Sequence, residues 1–192
     1  MRSIITYGLA AIAGVIVGPV SILAGMFLSG PLNVSDWTSN WAIGSEQANP
    51  YVRAYVSVFG LLALSKEEAV YFNRRVDDDG ERLSEACIYR LSGKNQPSRW
   101  WSITLYDTRG YLPLNDDGAP SVDATRVGEG DWEAIISPSR DNGEALWVSS
   151  RNSGTFDLTL RLYKPSDDLL ARPETELNPP SIERLSCVEG GS

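Results

Sequence analysis

The stretch that most constrains the fold is residues 99–112, which combines a strand pattern with a dense group of polar and aromatic residues. Within it, apolar side chains fall at every second position, at Trp101, Ile103 and Leu105. A period of two is typical of a strand that buries one face. Residues 107–110, Asp-Thr-Arg-Gly, then predict a turn. The sequence therefore predicts a central strand that runs directly into a polar turn.

The rest of the chain repeats this pattern in shorter segments. Residues 156–163 alternate most regularly, with Phe156, Leu158, Leu160 and Leu162 on the predicted inner face. Many short strands with turn residues between them predict a mainly β fold, an antiparallel sandwich with jelly-roll character. Further strands are predicted at 70–76, 86–91, 121–127, 132–137 and 145–149, with an extended tail at 178–187. Between the first two of these, residues 77–80, Asp-Asp-Asp-Gly, predict a hairpin turn.

The N-terminal segment is apolar and uncharged from residue 4 to residue 28. This run of about 25 residues exceeds the roughly 20 that a membrane-spanning helix needs. With Arg2 before it, the positive-inside rule predicts a cytoplasmic N-terminus and a periplasmic domain at the bacterial inner membrane. A cleaved signal peptide, which would release a soluble periplasmic binding protein, is the alternative. Trp37 and Trp41 would lie in the headgroup zone or pack on the domain.

The predicted organisation has four parts. Residues 1–30 are a transmembrane anchor, 31–48 a linker, 49–187 the β-sandwich domain and 188–192 a tail. Within the third part, Asn49-Pro50 and the apolar spacing that follows predict one amphipathic helix at 49–64.

Composition excludes several classes of function. The chain has no histidine, which removes the ordinary Ser-His-Asp triad and histidine-ligated metal sites. Its net charge of −8 argues against nucleic-acid binding, and it lacks the common phosphate-binding glycine loops. We therefore predict no metal, no cofactor and no catalytic residue. Cys87 and Cys187 either form a disulfide, as an oxidising compartment would favour, or remain two free thiols.

Two segments resemble a known family, the bacterial domain of unknown function 1214. They are residues 100–107, Trp-Trp-Ser-Ile-Thr-Leu-Tyr-Asp, with Gly110-Tyr111 after them, and residues 158–165, Leu-Thr-Leu-Arg-Leu-Tyr-Lys-Pro. The resemblance extends over residues 45–187 and implies a β-sandwich with jelly-roll character. The chain is most similar to a short alphaproteobacterial type with one N-terminal span. The resemblance implies no catalytic residues.

Two functions remain open from the sequence. The first is a non-enzymatic binding or accessory subunit with a protein partner in the membrane or periplasm, because aromatic and arginine side chains are common at interface hot spots. The second is an enzyme that acts on a glycan or another small periplasmic substrate with two carboxylates chosen among Asp107, Asp116 and Asp117. The candidate binding face is Trp100, Tyr106, Asp107, Arg109, Tyr111 and Asn115, although Trp100 and Tyr106 could equally be cross-strand packing.

Overall fold

The computed structural model describes residues 31–41, 64–140 and 146–188, together with Gly14, Val17, Gly18 and Val20. In this part of the chain, no helix has the length and apolar character needed to cross a bilayer. The predicted span at 4–28 lies outside the described residues apart from those four positions. The predicted amphipathic helix at 49–64 lies outside them as well, except for Leu64.

Strands and three short helices make up one compact unit, formed by Leu32–Ser39 and Lys66–Ser192. The helices are α1 (Ala124–Val127), α2 (Asp167–Ala171) and α3 (Pro173–Glu176). In chain order the strands are β1 (Leu32–Val34), β2 (Trp37–Ser39), β3 (Ala69–Arg74), β4 (Cys87–Lys94), β5 (Ser98–Asp107), β6 (Ser121–Asp123), β7 (Asp131–Ser137), β8 (Trp147–Ser149), β9 (Phe156–Pro165) and β10 (Ser181–Cys187).

The strands form two sheets. A six-stranded sheet has the order β1-β2-β3-β9-β5-β6, and a four-stranded sheet has the order β10-β4-β7-β8. All neighbours are antiparallel except β7 and β8, which are parallel. The mainly β, antiparallel fold predicted from the sequence is thus confirmed. The strand with the most regular alternation, β9, lies between β3 and β5 as a central strand.

The core lies between the two sheets. Trp101 of β5 stacks on Trp132 of β7 with ring centroids 5.0 Å apart, and Tyr89 of β4 meets Phe156 of β9 edge-on at 6.0 Å. Because each pair joins one sheet to the other, the inner faces are in direct contact. The predicted inner residues of β5 and β9 are buried: Trp101, Ile103, Leu105, Phe156, Leu158, Leu160 and Leu162.

The central strand differs from its prediction on the outer face. A strand that buries only the face with Trp101, Ile103 and Leu105 would leave Ser102 and Thr104 partly exposed, yet both are buried. Ser102 lies opposite Arg161 of β9 and Asp123 of β6, so its short side chain lies between longer ones on both neighbouring strands. The predicted strand at 121–127 is also shorter than expected. It ends at Asp123, whose carboxylate accepts the backbone N–H groups of Thr125 and Arg126 and starts α1.

Residues 32–39, predicted as part of a linker, instead form the β1–β2 hairpin. Its two turn residues, Ser35 and Asp36, both have positive φ, which suits a two-residue hairpin. Trp37 is fully buried, and its indole N–H donates to the carbonyl of Pro180 at 2.8 Å. Of the two predicted roles for Trp37, packing on the domain is therefore correct. The turn lacks the glycine or asparagine that usually marks a two-residue hairpin, so its sequence does not predict one.

The predicted hairpin at residues 77–80 is a turn between sheets. Gly80 has the positive φ that the turn requires, and Val76 and Arg82 on either side of it form a single antiparallel bridge. This bridge lies outside both β3 and β4, which belong to different sheets. Asp78 explains the difference, because it hydrogen-bonds to Ile182 of β10 through both its backbone N–H and its carboxylate. The chain is thereby directed toward β10, the strand that pairs with β4 in the other sheet.

Cys87 and Cys187 form a disulfide, which confirms the bridged alternative. The two residues are directly opposite each other on β4 and β10. The predicted extended tail is therefore the edge strand of the four-stranded sheet, covalently joined to its neighbour.

Candidate functional site

Trp100 lies apart from the other five residues of the predicted binding face. Trp100 is at the beginning of β5, where its ring packs against Tyr163 at a centroid distance of 5.5 Å. Its indole N–H donates to the hydroxyl of Thr125 at 3.0 Å. Trp100 is 36% exposed, so it remains partly accessible while acting as a cross-strand packing residue. The other five lie at or beyond the opposite end of the strand.

Tyr106 orients an arginine from the neighbouring strand. The hydroxyl of Tyr106 accepts a hydrogen bond from the guanidinium of Arg161, whose central carbon lies 5.2 Å from the ring centroid. The contact combines a hydrogen bond with a cation–π interaction. Tyr106 is therefore more than a packing residue, since it determines where the Arg161 guanidinium lies.

Asp107 and Arg109 organise the turn after β5. One carboxylate oxygen of Asp107 accepts the backbone N–H groups of Arg109 and Tyr111, both at 2.9 Å. The other oxygen accepts Nε and Nη2 of Arg109 at 3.1 and 2.9 Å. Hydrogen bonding from the Tyr111 backbone and from Arg109 holds the pKa of Asp107 below its ordinary value. Asp107 is thus a structural carboxylate, poorly suited to act as a general acid.

A network of polar contacts clamps the loop that follows onto the turn after β8. The side chain of Asn115 donates to the carbonyl of Arg151 at 2.8 Å, and the side chain of Asn152 donates to the carbonyl of Leu114 at 2.7 Å. Asp117 accepts two hydrogen bonds from Arg151, at 2.6 and 3.0 Å, and one from Ser149 at 2.5 Å. Because these contacts occupy both oxygens of Asp117, it too has a structural role.

The clamped loop exposes three large apolar side chains. Tyr111 is 68% exposed, Leu112 is 47% exposed and Leu114 is 89% exposed. We call residues 111–114 the apolar loop. Arg109 lies beside it, with its guanidinium carbon 5.9 Å from the ring centroid of Tyr111. Apolar surface held outward by a fixed backbone is typical of an interaction site.

A polar groove of about 400 Å³ lies on the other side of the Asp107 turn. Asp157 lies in it and is paired with Arg75 at 3.1 Å and with Arg82 at 2.6 Å. We call it the arginine groove; it is lined by Asn73, Arg75, Tyr106, Asp107, Thr108, Arg109, Gly110, Asp157, Thr159 and Arg161.

A larger open groove of about 740 Å³ lies on the four-stranded sheet. It lies along β4, β7 and the start of β10, and Trp132 and Gly93 form part of its lining. Its charged side chains, Lys94, Asp131 and Glu133, are all exposed. The arginine groove, where charged groups are held by specific contacts, is the better candidate for a binding site.

Sequence reasoning missed the part of the site that comes from β3 and β9. The groove is lined by Asn73, Arg75, Asp157, Thr159 and Arg161. Asn73 on β3 and the three β9 residues occupy alternate outer positions of their strands, and Arg75 directly follows β3. Strand alternation does identify Asp157, Thr159 and Arg161 as outward-facing. What the sequence could not supply was the pairing of β9 with both β3 and β5, which places these side chains beside Tyr106.

Two of the three carboxylates named for the enzyme alternative already have local partners. Asp107 and Asp117 are each occupied by local hydrogen bonds, and Asp116 is exposed. Among the described residues, no three acidic or cysteine side chains are grouped so that they could hold a metal ion.

The fold and site define a two-sheet antiparallel β domain with a polar groove and an adjacent exposed loop. Residues 68–167, just over half of the chain, match the family described as "Protein of unknown function (DUF1214)", and the chain belongs to this family. The search of curated proteins returned no match.

Two solved structures are similar to the chain. The VPA0106 protein from Vibrio parahaemolyticus has a TM-score of 0.58 and 22% sequence identity, and the match covers 73% of this chain and 36% of that one. An uncharacterised protein from Burkholderia cenocepacia has a TM-score of 0.40 and 20% identity, over 65% of this chain and 31% of that one. The chain thus spans about a third of the length of each, and the first similarity supports the fold alone.

Proposed function

We propose that this chain is a non-enzymatic binding or accessory subunit of an envelope or membrane protein complex. It belongs to a short alphaproteobacterial type, is tethered to the bacterial inner membrane by residues 4–28, and holds its β domain in the periplasm. The apolar loop contacts the protein partner. The observation that carries the proposal is the exposure of Tyr111, Leu112 and Leu114 on a backbone that is clamped in place.

The clamp supports binding because it lowers the entropic cost of association. A flexible loop loses conformational freedom when it binds, whereas this backbone is already held through Leu114 and Asn115. Burial of one leucine side chain that would otherwise be exposed is worth about 1.5–3 kcal/mol. Tyr111 and Arg109 add residue types that are common in interface hot spots. A small rigid surface of this kind suits a protein partner with an apolar pocket.

The location rests on three features. The uncharged apolar run is long enough to span a bilayer, and Arg2 precedes it. The Cys87–Cys187 disulfide is consistent with an oxidising compartment such as the periplasm.

The experiment is affinity purification of tagged full-length protein from its native membrane in mild detergent, followed by sizing and identification of co-migrating proteins. The test variant is Tyr111→Ser/Leu114→Ser. The matched control is Leu185→Ser/Val188→Ser, which removes exposed apolar side chains at 41% and 77% exposure from the other sheet. We expect the test variant to lose a stoichiometric partner that the control retains. A wild-type protein that runs alone, or equal recovery by both variants, would refute the proposal.

A further inference from the structure

Arg161 is a charged residue near the middle of the outer face of the six-stranded sheet. It lies opposite Tyr71 on β3 and opposite Ser102 on β5, and it is half-buried. No carboxylate of the described residues lies within ion-pair distance of its guanidinium, whose hydrogen bond goes to the Tyr106 hydroxyl. A guanidinium has five N–H donors, so most of them remain available.

The carboxylates nearby cannot neutralise Arg161, because they already have partners. Asp157 is paired with Arg75 and Arg82, and Asp107 is paired with Arg109. Four arginines therefore accompany two aspartates around the groove, an excess of positive charge in a chain whose net charge is −8. A partly desolvated cation without a counter-ion is costly unless an anion is bound there. The local charge therefore favours an anionic ligand.

Two neutral polar side chains, Asn73 and Thr159, line the groove together with Arg161. The hydroxyl of Thr159 donates to Oδ1 of Asn73 at 2.8 Å. This bond fixes the orientation of the amide and leaves its NH₂ group to donate to another acceptor. Asn73 is exposed and both side chains line the groove. The groove thus offers a guanidinium fork for a carboxylate, an amide NH₂ that can donate to a ligand oxygen, and the Thr159 hydroxyl oxygen, which can accept from a ligand hydroxyl.

We propose that the arginine groove binds a small ligand that carries a carboxylate next to hydroxyl groups, a sugar acid. Arg161, held by Tyr106, binds the carboxylate, and Asn73 and Thr159 bind the adjacent hydroxyls. A volume of about 400 Å³ is in the range of small-molecule pockets. The site uses different residues from the apolar loop, so it can be tested independently of the partner proposed above.

The test is isothermal titration calorimetry of full-length protein in mild detergent with D-glucuronate. D-glucose is the neutral comparison ligand of similar shape, and inorganic phosphate is the comparison anion. We expect heat of binding with glucuronate, at least tenfold weaker binding of glucose, and weaker binding of phosphate. Arg161→Ala should reduce affinity for glucuronate about 10- to 100-fold, the range for hydrogen bonds to a charged group. The matched control is Arg90→Ala, which removes an exposed arginine paired with Glu183 on the other sheet.

Arg161→Lys provides a second variant if Arg161→Ala does not fold. It keeps the positive charge and loses the planar fork, so its affinity for glucuronate should still fall. Three results would overturn the proposal: glucuronate binding no tighter than glucose, phosphate binding as tight as glucuronate, or unchanged affinity in a folded Arg161 variant. If Tyr111→Ser/Leu114→Ser loses the protein partner but still binds glucuronate, the apolar loop and the arginine groove are separate sites.

Discussion

The Cys87–Cys187 disulfide should account for a large share of the stability of the domain. It joins two residues that are 100 positions apart in the chain. In the chain-entropy treatment, a crosslink that closes about 100 residues lowers the free energy of folding by about 4.7 kcal/mol, because it restricts the unfolded chain. Most small domains are stable by only about 5–15 kcal/mol. The double variant Cys87→Ala/Cys187→Ala should therefore be close to the limit of folding.

The folded state itself should change little in that variant. Strand β10 still pairs with β4 along its length, and the N–H of Val188 still donates to the carbonyl of Ala86 at 2.8 Å. The loss should consequently come from the unfolded state, and the denaturant m-value should rise because a chain without the crosslink exposes more surface. At about 2–4 °C per kcal/mol for a domain of this size, Tm should fall by roughly 10–20 °C.

The assay is urea unfolding of the wild type, of wild type with a reductant and of the double variant, followed by circular dichroism and fluorescence. Ser181→Ala is the control, because it removes one exposed hydroxyl contact between the same two strands and leaves the disulfide. Its free energy of unfolding should change by no more than about 0.5 kcal/mol. A loss below about 1 kcal/mol in the double variant, with an unchanged m-value, would contradict the entropic reasoning.

Two further predictions concern single residues. Gly93→Ala should destabilise the domain by about 1–3 kcal/mol in urea unfolding, because the new Cβ would lie 3.0 Å from Cζ2 of Trp132. The stacking of Trp132 on Trp101 limits how far the indole ring can shift. Unchanged stability would show that the Trp132 ring can move. Asp107→Asn should be less stable than the wild type at neutral pH. Since folding lowers the pKa of Asp107, its ionised carboxylate stabilises the fold above the ordinary aspartate pKa, and this effect is lost as the pH falls through the folded pKa. The difference in free energy of unfolding between wild type and variant should therefore narrow on acidification. A difference that stays constant with pH would argue against ionisation as the cause.

The strands that carry their own alternation could be predicted from the sequence. Residues 156–163 bury one face along their length, and the alternate apolar residues at 101, 103 and 105 are buried as well, so a period of two in the sequence identifies the inner face of both strands. The β1–β2 hairpin could not be predicted in this way, because each strand has three residues and the turn is Ser35-Asp36. Such a hairpin is stabilised by the burial of Trp37 against Pro180, a contact between residues 143 positions apart.

The candidate site also contains residues that the sequence predicts and residues that it does not. Tyr106, Asp107 and Arg109 could be selected because they follow one another in the chain at the end of a strand. Arg161 could not be selected with them, because its contact with Tyr106 depends on the register between β5 and β9. Likewise, Asp117 and Arg151 appear unrelated in the sequence and form a two-point ion pair in the structure.

By itself, the sequence determined the β class, the inner faces of the two longest strands and the one possible intramolecular disulfide, because periodicity and residue counts are local or compositional properties. Only the tertiary structure decided the sheet order, the transfer of the chain from β3 to the other sheet at Asp78, and the arginine groove. These depend on which distant strands pair and in which register. That choice is made by the packing of the whole core, so no single segment of the chain encodes it.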